Sequence, residues 1–284
     1  MEIEKAAQNI VAQAYKMKNS DIHILPSNKG YEIYFRLNGQ LVSKYSFSEN
    51  YGIRLITFFK FLSNMDVGER RRPQSGAVLF SLGEMELDLR LSTISNYLGY
   101  ESLVILLLSE DSMETNQVQT FFEEEWNQIK RLIQFKSGLL LFSGPVDSGK
   151  TTAMYHLVKK RLKQSKQQVI SIEDPVEIKE KSFLQVQVNE KSGITYEKLL
   201  KASLRHHPDI ILIGEIRDEE TAKMVIRGAL TGHLILATVH AKDAAGVISR
   251  LEELNISSEL LQQTLIGIVF QKLLPIYCPL CESS

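Results

Sequence analysis

The run Gly144-Pro-Val-Asp-Ser-Gly-Lys150-Thr151 constrains this chain more than any other feature. It fits G-x-x-x-x-G-K-[ST], and it follows the apolar stretch Leu139–Ser143. That order predicts a strand that ends, a glycine-rich turn that exposes successive backbone N–H groups, and a helix that starts near Gly149. Such donors, together with a helix N-terminus, favour phosphate oxygens. The candidate nucleotide-holding residues are Gly144, Pro145, Val146, Asp147, Ser148, Gly149, Lys150, Thr151 and Thr152. Lys150 is expected on the β- and γ-phosphates of ATP, and the Thr151 hydroxyl on Mg²⁺. Asp147 places a carboxylate inside an anion-binding loop, so its side chain is expected to point to solvent.

The rest of the chain reads as two domains. From residue 126 onward, short apolar runs alternate with helical stretches: Leu139–Ser143, Val169–Ile172, Ile210–Ile213 and Leu234–Val239. This predicts βαβ units around a mostly parallel sheet, an α/β domain over 126–284. Ser257–Pro275 has helical spacing of Leu260, Leu261, Leu265, Ile268, Val269 and Leu273. Residues 1–112 instead read as α+β. Strands are expected at Tyr31–Leu37, which Asn38-Gly39 turns into a hairpin, at Glu86–Leu91, and as a buried run at Leu103–Leu108. Helices are expected at the start (Ile3, Ala6, Ile10, Ala14) and over Ile53–Leu62. Residues 113–125 carry four acids and no base and are taken as the interdomain linker, running into a helix that reaches about Phe135.

Two acidic groups follow the phosphate loop. Ile210-Ile-Leu-Ile-Gly-Glu215 brings a carboxylate to the end of a strand, where an α/β fold handles metal and water. Glu173-Asp-Pro-Val-Glu177 sets three carboxylates around a proline at another strand end; a solvated turn and a catalytic cluster both fit this pattern. Glu177 and Glu215 are the candidates for activating water, and Thr151 and Glu215 for holding Mg²⁺. His233 and His240 bracket one strand. Either can be structural or can sense a γ-phosphate, but seven extended residues separate them by on the order of 20 Å, which excludes one shared metal.

Lys and Arg number 33 against 34 Asp and Glu, so no global field draws the chain to nucleic acid, and no direct nucleic-acid binding is expected. Two cysteines do not make a disulfide framework, which points to a reducing compartment. The N-terminus MEIEKAAQNI lacks a basic, then apolar leader, and no run approaches the length of a membrane span. The expected location is cytoplasmic, with any membrane association made through a partner.

These motifs, in this order, resemble the traffic ATPases of type II secretion and type IV pilus systems, most closely the competence pilus assembly ATPases of Gram-positive bacteria. Gly144–Thr151 is similar to their Walker A loop, Glu173–Glu177 to their aspartate box, Ile210–Asp218 to their Walker B segment and Thr231–Ala241 to their histidine box. Ser20–Ile24, Phe35–Gly39, Arg72–Gly76 and Asp88–Thr93 resemble their PAS-like N-terminal domain. The resemblance implies a PAS-like α+β domain followed by a RecA-like P-loop domain. It also implies a homo-oligomer, a hexamer, acting on a polytopic inner-membrane platform protein at the cytoplasmic face to assemble a pseudopilus for DNA uptake. Hydrolysis would turn one domain against the other about residues 113–125. By the same likeness Arg90, and after it Arg36 and Arg72, would reach phosphate, with Arg217 or Arg205 also facing the developing charge. The catalytic set it implies is Glu215, Glu177, Arg90, Arg217, His240 and His233. Secretion, pilus retraction and an ATP-binding scaffold with weak hydrolysis are the alternative readings. Larger relatives carry two C-x-x-C pairs for zinc; Cys278 and Cys281 give half a site, so zinc is not expected. The chain departs from the family pattern at Ser95, Leu106 and Val146-Asp147.

Overall fold

The computed structural model describes residues 2–37, 40–83, 85–108 and 120–274. The chain divides into two compact units, Met1–Glu110 and Asp111–Ser284. The Asn38-Gly39 turn, residues 113–119 of the expected linker, and Cys278 and Cys281 lie outside the described residues.

In the first unit, alternation of apolar and polar residues builds one antiparallel sheet. Its strands are β1 Asp21–Ser27, β2 Gly30–Leu37, β3 Gln40–Phe47, β4 Gln74–Leu82, β5 Met85–Ser95 and β6 Glu101–Leu108, in the order β3-β2-β1-β6-β5-β4. Tyr31, Ile33 and Phe35 point into the core while Glu32, Tyr34 and Arg36 do not, as period-two alternation demands. Helices α1 (Glu2–Lys16) and α2 (Glu49–Leu62) supply the facing apolar stripe, through Ile3, Ala7, Ile10, Val11, Leu55, Ile56 and Phe59. Leu103–Leu108 is a strand, but not a fully buried one. Leu103, Ile105 and Leu107 face the core, and Leu106 is 45% exposed, because helices cover only one side of this sheet.

The second unit is an α/β layer with every strand pair parallel: β7 Gly138–Ser143, β8 Val169–Glu173, β9 Leu184–Gln187, β10 Ile210–Ile213, β11 Leu234–Thr238 and β12 Leu265–Phe270, in the order β12-β7-β11-β10-β8-β9. Strands β7, β10 and β11 are near-continuous apolar runs because both faces are covered. Leu139, Leu141, Ile170, Ile172, Ile211, Ile213 and Ile235 pack against α5 (Tyr196–Ser203), α6 (Glu219–Leu230), α7 (Ala244–Glu253) and α8 (Ser258–Thr264). Leu140, Phe142, Val169, Leu212, Leu234 and Leu236 meet α3 (Glu123–Leu132) and α4 (Lys150–Leu162).

Two expectations are corrected here. The helix expected over Ser257–Pro275 stops at Thr264, and Leu265–Phe270 is a strand paired with β7. Its β-formers (Ile266, Ile268, Val269) gain a ladder at the sheet edge that a helix there would forgo. The linker does not extend to residue 125, because Glu123, Glu124 and Glu125 form the first turn of α3, where a helix N-terminus favours acids. Among the described residues no helix is long and apolar enough to cross a membrane.

Candidate functional site

Parallel strands put all their C-terminal ends at one edge of the sheet, and the candidate residues gather there. β7 ends at Ser143, and the chain turns through Gly144 at φ +145°, Asp147 at φ +59° and Gly149 at φ +79° before α4 begins. A Cβ on Gly144 would stand 2.1 Å from the Gln271 carbonyl oxygen, so only glycine fits. Gly149 caps α4 without offering a side-chain oxygen, which leaves the amides of the first turn to an incoming anion. Asp147 is exposed, as expected of a carboxylate in such a loop.

Lys150 is buried and folds back onto the loop. Its Nζ donates to the Gly144 carbonyl at 3.1 Å and the Pro145 carbonyl at 2.6 Å. Burial lowers the pKa of this ammonium, and the nearby carboxylates of Asp147, Glu177 and Glu215 oppose that shift. The loop is braced from β12's exit: Gln271 donates its backbone N–H to Ser143 O at 2.8 Å and its side-chain amide to Ser148 O at 2.6 Å.

The register β8–β10–β11 sets the acids. Ile213 lies beside Ile172 and Ala237, so Glu173, Glu215 and Val239 follow at neighbouring strand ends. Gly214 is tight, with Glu173 Cα and the Tyr196 hydroxyl within 3.3 Å of where its Cβ would be. Thr151, Tyr155, Glu173, Glu177, Tyr196 and Glu215 line one cleft. Glu215 ion-pairs with Arg217, which also lies 3.5 Å from Asp174, and His240 Nε2 stands 3.7 Å from its other oxygen. Glu177 lies at the open side of the cleft, and no described basic group forms an ion pair with it. Partial withdrawal from water, then the charges of Glu173, Asp147 and Glu215, raise its pKa, while Lys150 pulls it down.

The donor set fits Mg²⁺ bound together with a phosphate substrate. A hydroxyl and carboxylates are hard oxygen ligands, and Mg²⁺ takes one or two protein ligands beside phosphate and water. The described residues contain no group of three or more His, Cys, Asp and Glu that would form an all-protein cage.

Not every candidate meets here. His233 precedes β11, at the opposite end of the strand from His240 and the phosphate loop, with its Nδ1 3.2 Å from Gly228 O. It is therefore not part of this cleft, because a parallel strand has only one end at the ligand edge. Arg205 is exposed in the 3₁₀ turn before β10, also at the far end. Arg90 stands on β5 of the first unit, opposite Leu106 and 3.7 Å from Asp88. Arg36 contacts Asp21 at 3.0 Å and Arg72 contacts Glu69 at 3.7 Å. Sequence reading missed Tyr155 and Tyr196, which line the cleft, and Gln185, whose side-chain amide reaches the Tyr155 hydroxyl behind it at 2.8 Å. Tyr155 carries a legible signal, since it lies four residues after Thr151 on the same helix face. Gln185 carries none, because a short edge strand brings it in.

Comparison with known proteins gives the family and the fold. The family model described as "Type II/IV secretion system protein" matches residues 1–284. Competence protein ComGA of Bacillus subtilis is 43% identical over 99% of this chain and 79% of that protein. Competence protein ComGA of Streptococcus pneumoniae is 43% identical over 96% of this chain and 85% of that protein. The solved structure of the Legionella pneumophila ATPase DotB superposes with a TM-score of 0.72 at 20% identity, over 93% of this chain and 75% of that one, and so shares the fold. The chain belongs to the type II/IV secretion system protein family.

Proposed function

We propose that this chain is the ATP-hydrolysing motor of a competence pilus, working as a homohexamer on a membrane platform protein to drive assembly of a pseudopilus for DNA uptake. The observation that carries the hydrolytic reading is the cleft itself: Lys150, Thr151, Glu177 and Glu215 converge at one sheet edge beside a phosphate-binding loop. The competence role is supported by the two ComGA relatives, each matched over nearly the whole chain.

Loop amides and Lys150 bind and orient the β- and γ-phosphates of ATP. Thr151 and Glu215 would hold Mg²⁺, which when bound supplies charge neutralisation at the phosphates. Glu177 takes the proton from the attacking water. It is the better base of the two glutamates because Glu215 is engaged by Arg217 and His240, and because a raised carboxylate pKa suits proton abstraction near neutral pH. Arg217 stands ready beside Glu215 for negative charge, and Arg90 is the arginine of the first unit that would act across a subunit boundary, a planar fork suited to phosphate.

The test is Mg²⁺-ATP turnover per subunit over a range of protein concentrations, beside the Lys150→Ala variant. A specific rate that climbs with concentration and vanishes in Lys150→Ala supports a site completed between subunits. Turnover that survives Lys150→Ala, or a rate that Arg90→Ala leaves unchanged in the assembled state, overturns the reading at that residue.

A further inference from the structure

Beneath the cleft runs a hydrogen-bond chain that the hydrolytic scheme above does not use. Tyr155 is 1% exposed and lies one helical turn beyond Thr151 on α4. Its phenol donates to Glu173 Oε1 at 2.6 Å. Glu173 is itself 4% exposed, at the very end of β8. Gln185, from β9, donates its Nε2 to the Tyr155 oxygen at 2.8 Å and to the Ile178 carbonyl at 2.7 Å, and its Oε1 accepts the Glu180 amide at 2.7 Å. One amide side chain thus engages the segment just past Glu177 on one side and the tyrosine–glutamate pair on the other. Gln187, two residues on, accepts the Val176 amide at 3.2 Å and fixes the other flank of Glu177.

The chemistry exceeds what packing needs. A phenylalanine would fill the space beside Phe183, whose ring centroid lies 5.0 Å from that of Tyr155. The hydroxyl is there for Glu173, and a buried carboxylate needs such a donor. Glu173 Oε1 takes the phenol and lies 3.5 Å from Gln185 Nε2, on a side chain that lines the cleft. The chain therefore couples three elements that must keep register during hydrolysis: the helix leaving the phosphate loop, the end of β8, and the turn that presents Glu177.

We propose that Tyr155 and Gln185 are positioning residues for the hydrolytic step, fixing the Glu173 carboxylate and the Ile178 carbonyl so that Glu177 stands at a set place over Thr151 and Glu215. The inference rests on the ATPase reading of this cleft. Phosphate binding, made by Lys150 and the loop amides, is independent of the chain. Hence the two residues govern the rate of the chemical step and not the affinity for nucleotide.

The experiment uses the full chain in its assembled state and compares Tyr155→Phe and Gln185→Leu with wild type. Three quantities are read: kcat, KM for Mg²⁺-ATP, and binding of a fluorescent non-hydrolysable ATP analogue. A misplaced base costs tenfold or more, so kcat is expected to fall by roughly tenfold to a hundredfold in Tyr155→Phe. KM and analogue affinity are expected to stay within about twofold, the signature of an interaction that matters only to the transition state. Tyr155→Phe combined with Glu173→Gln is expected to lose no more than the worse single variant, because both break the same link. A kcat equal to wild type in Tyr155→Phe overturns the proposal. So does a parallel loss of kcat, analogue binding and melting temperature, which would mark a purely structural tyrosine. Where Tyr155→Phe does not fold, Gln185→Leu, at a half-buried edge position, carries the same expectations. Absence of turnover in assembled wild type would sink the ATPase reading itself; a wild-type rate that Tyr155→Phe shares would sink only this inference.

Discussion

The side-chain amide of Gln271 donates to the Ser148 carbonyl at 2.6 Å, across 123 residues of chain. The backbone N–H of Gln271 is fixed on Ser143 O at 2.8 Å, so the exit of β12 holds the phosphate loop both at the last residue of β7 and at Ser148. Gln271→Ala keeps the backbone contact and removes the amide, leaving the carbonyl of a buried residue without its donor. Such a loss costs about 1–2 kcal/mol, which is roughly 5- to 30-fold. ADP binding measured by calorimetry is expected to weaken by about that factor. Equal affinity would mean that the loop keeps its shape without the brace.

Asp147 makes the opposite prediction. It is an exposed non-glycine residue at φ +59°, and its charge acts on both Lys150 and Glu177. Asp147→Gly relieves a left-handed conformation worth about 1 kcal/mol and removes a negative charge from an anion site. Nucleotide affinity is expected to rise a few-fold, more at low than at high ionic strength, since the contribution of an exposed charge is screened. Affinity that is unchanged at every salt concentration would show that the carboxylate is electrically remote from the phosphates.

What the sequence made legible and what it hid divide along a physical line. The phosphate loop, β10 with Glu215, and the β8 end with Glu173 and Glu177 were readable because each is a local pattern: an apolar run, a turn, a polar residue. β12 was hidden because Leu265–Phe270 has both helical spacing and β-forming residues, and only the free edge of β7 decides between them. β9 and with it Gln185 were hidden because four residues at a sheet edge carry no periodicity. The histidines read as a pair by their shared strand; strand direction separates them, His240 beside Glu215 and His233 at the far end.

Glu177 joins activity and stability with opposite signs. Its folded-state pKa is raised above the ordinary carboxylate value, by reduced hydration first and by neighbouring negative charge second. The folded chain thus binds this proton more tightly than the unfolded chain does. Ionising Glu177 then costs folding free energy; the cost is absent at acid pH and complete once pH passes the raised pKa. Activity runs the other way, because a base works only when deprotonated. kcat is expected to fall as pH drops through that raised pKa. Glu177→Gln is expected to lose turnover at least about a hundredfold, within the usual range for a general base. The same variant is expected to melt higher than wild type at neutral pH and no higher under acid conditions. A melting temperature lowered at neutral pH would show that the ionised carboxylate makes stabilising contacts.

The first unit holds a buried ion pair that no local pattern announces. Lys60, 1% exposed near the C-terminus of α2, donates to Glu101 Oε1 at 2.7 Å and to Glu69 O at 2.6 Å. Tyr31, whose hydroxyl donates to Glu101 O at 3.0 Å, has its pKa pushed up to about 12, by burial and then by the Glu101 charge. Lys60 thereby ties α2 to β6 and to the loop before β4. Lys60→Met removes the cation and strands a carboxylate in the interior, which costs about 3–5 kcal/mol, whereas replacing both partners is often close to neutral. In urea, Lys60→Met is expected to unfold the first unit at markedly lower denaturant, and Lys60→Met with Glu101→Leu to recover most of that loss, since no buried charge then remains. Hydrogen exchange in peptides of β5 and β6 reports this unit separately from the nucleotide-binding one. Exchange that stays as slow in Lys60→Met as in wild type would mean that Glu101 finds water or another donor, and that the pair contributes nothing beyond packing.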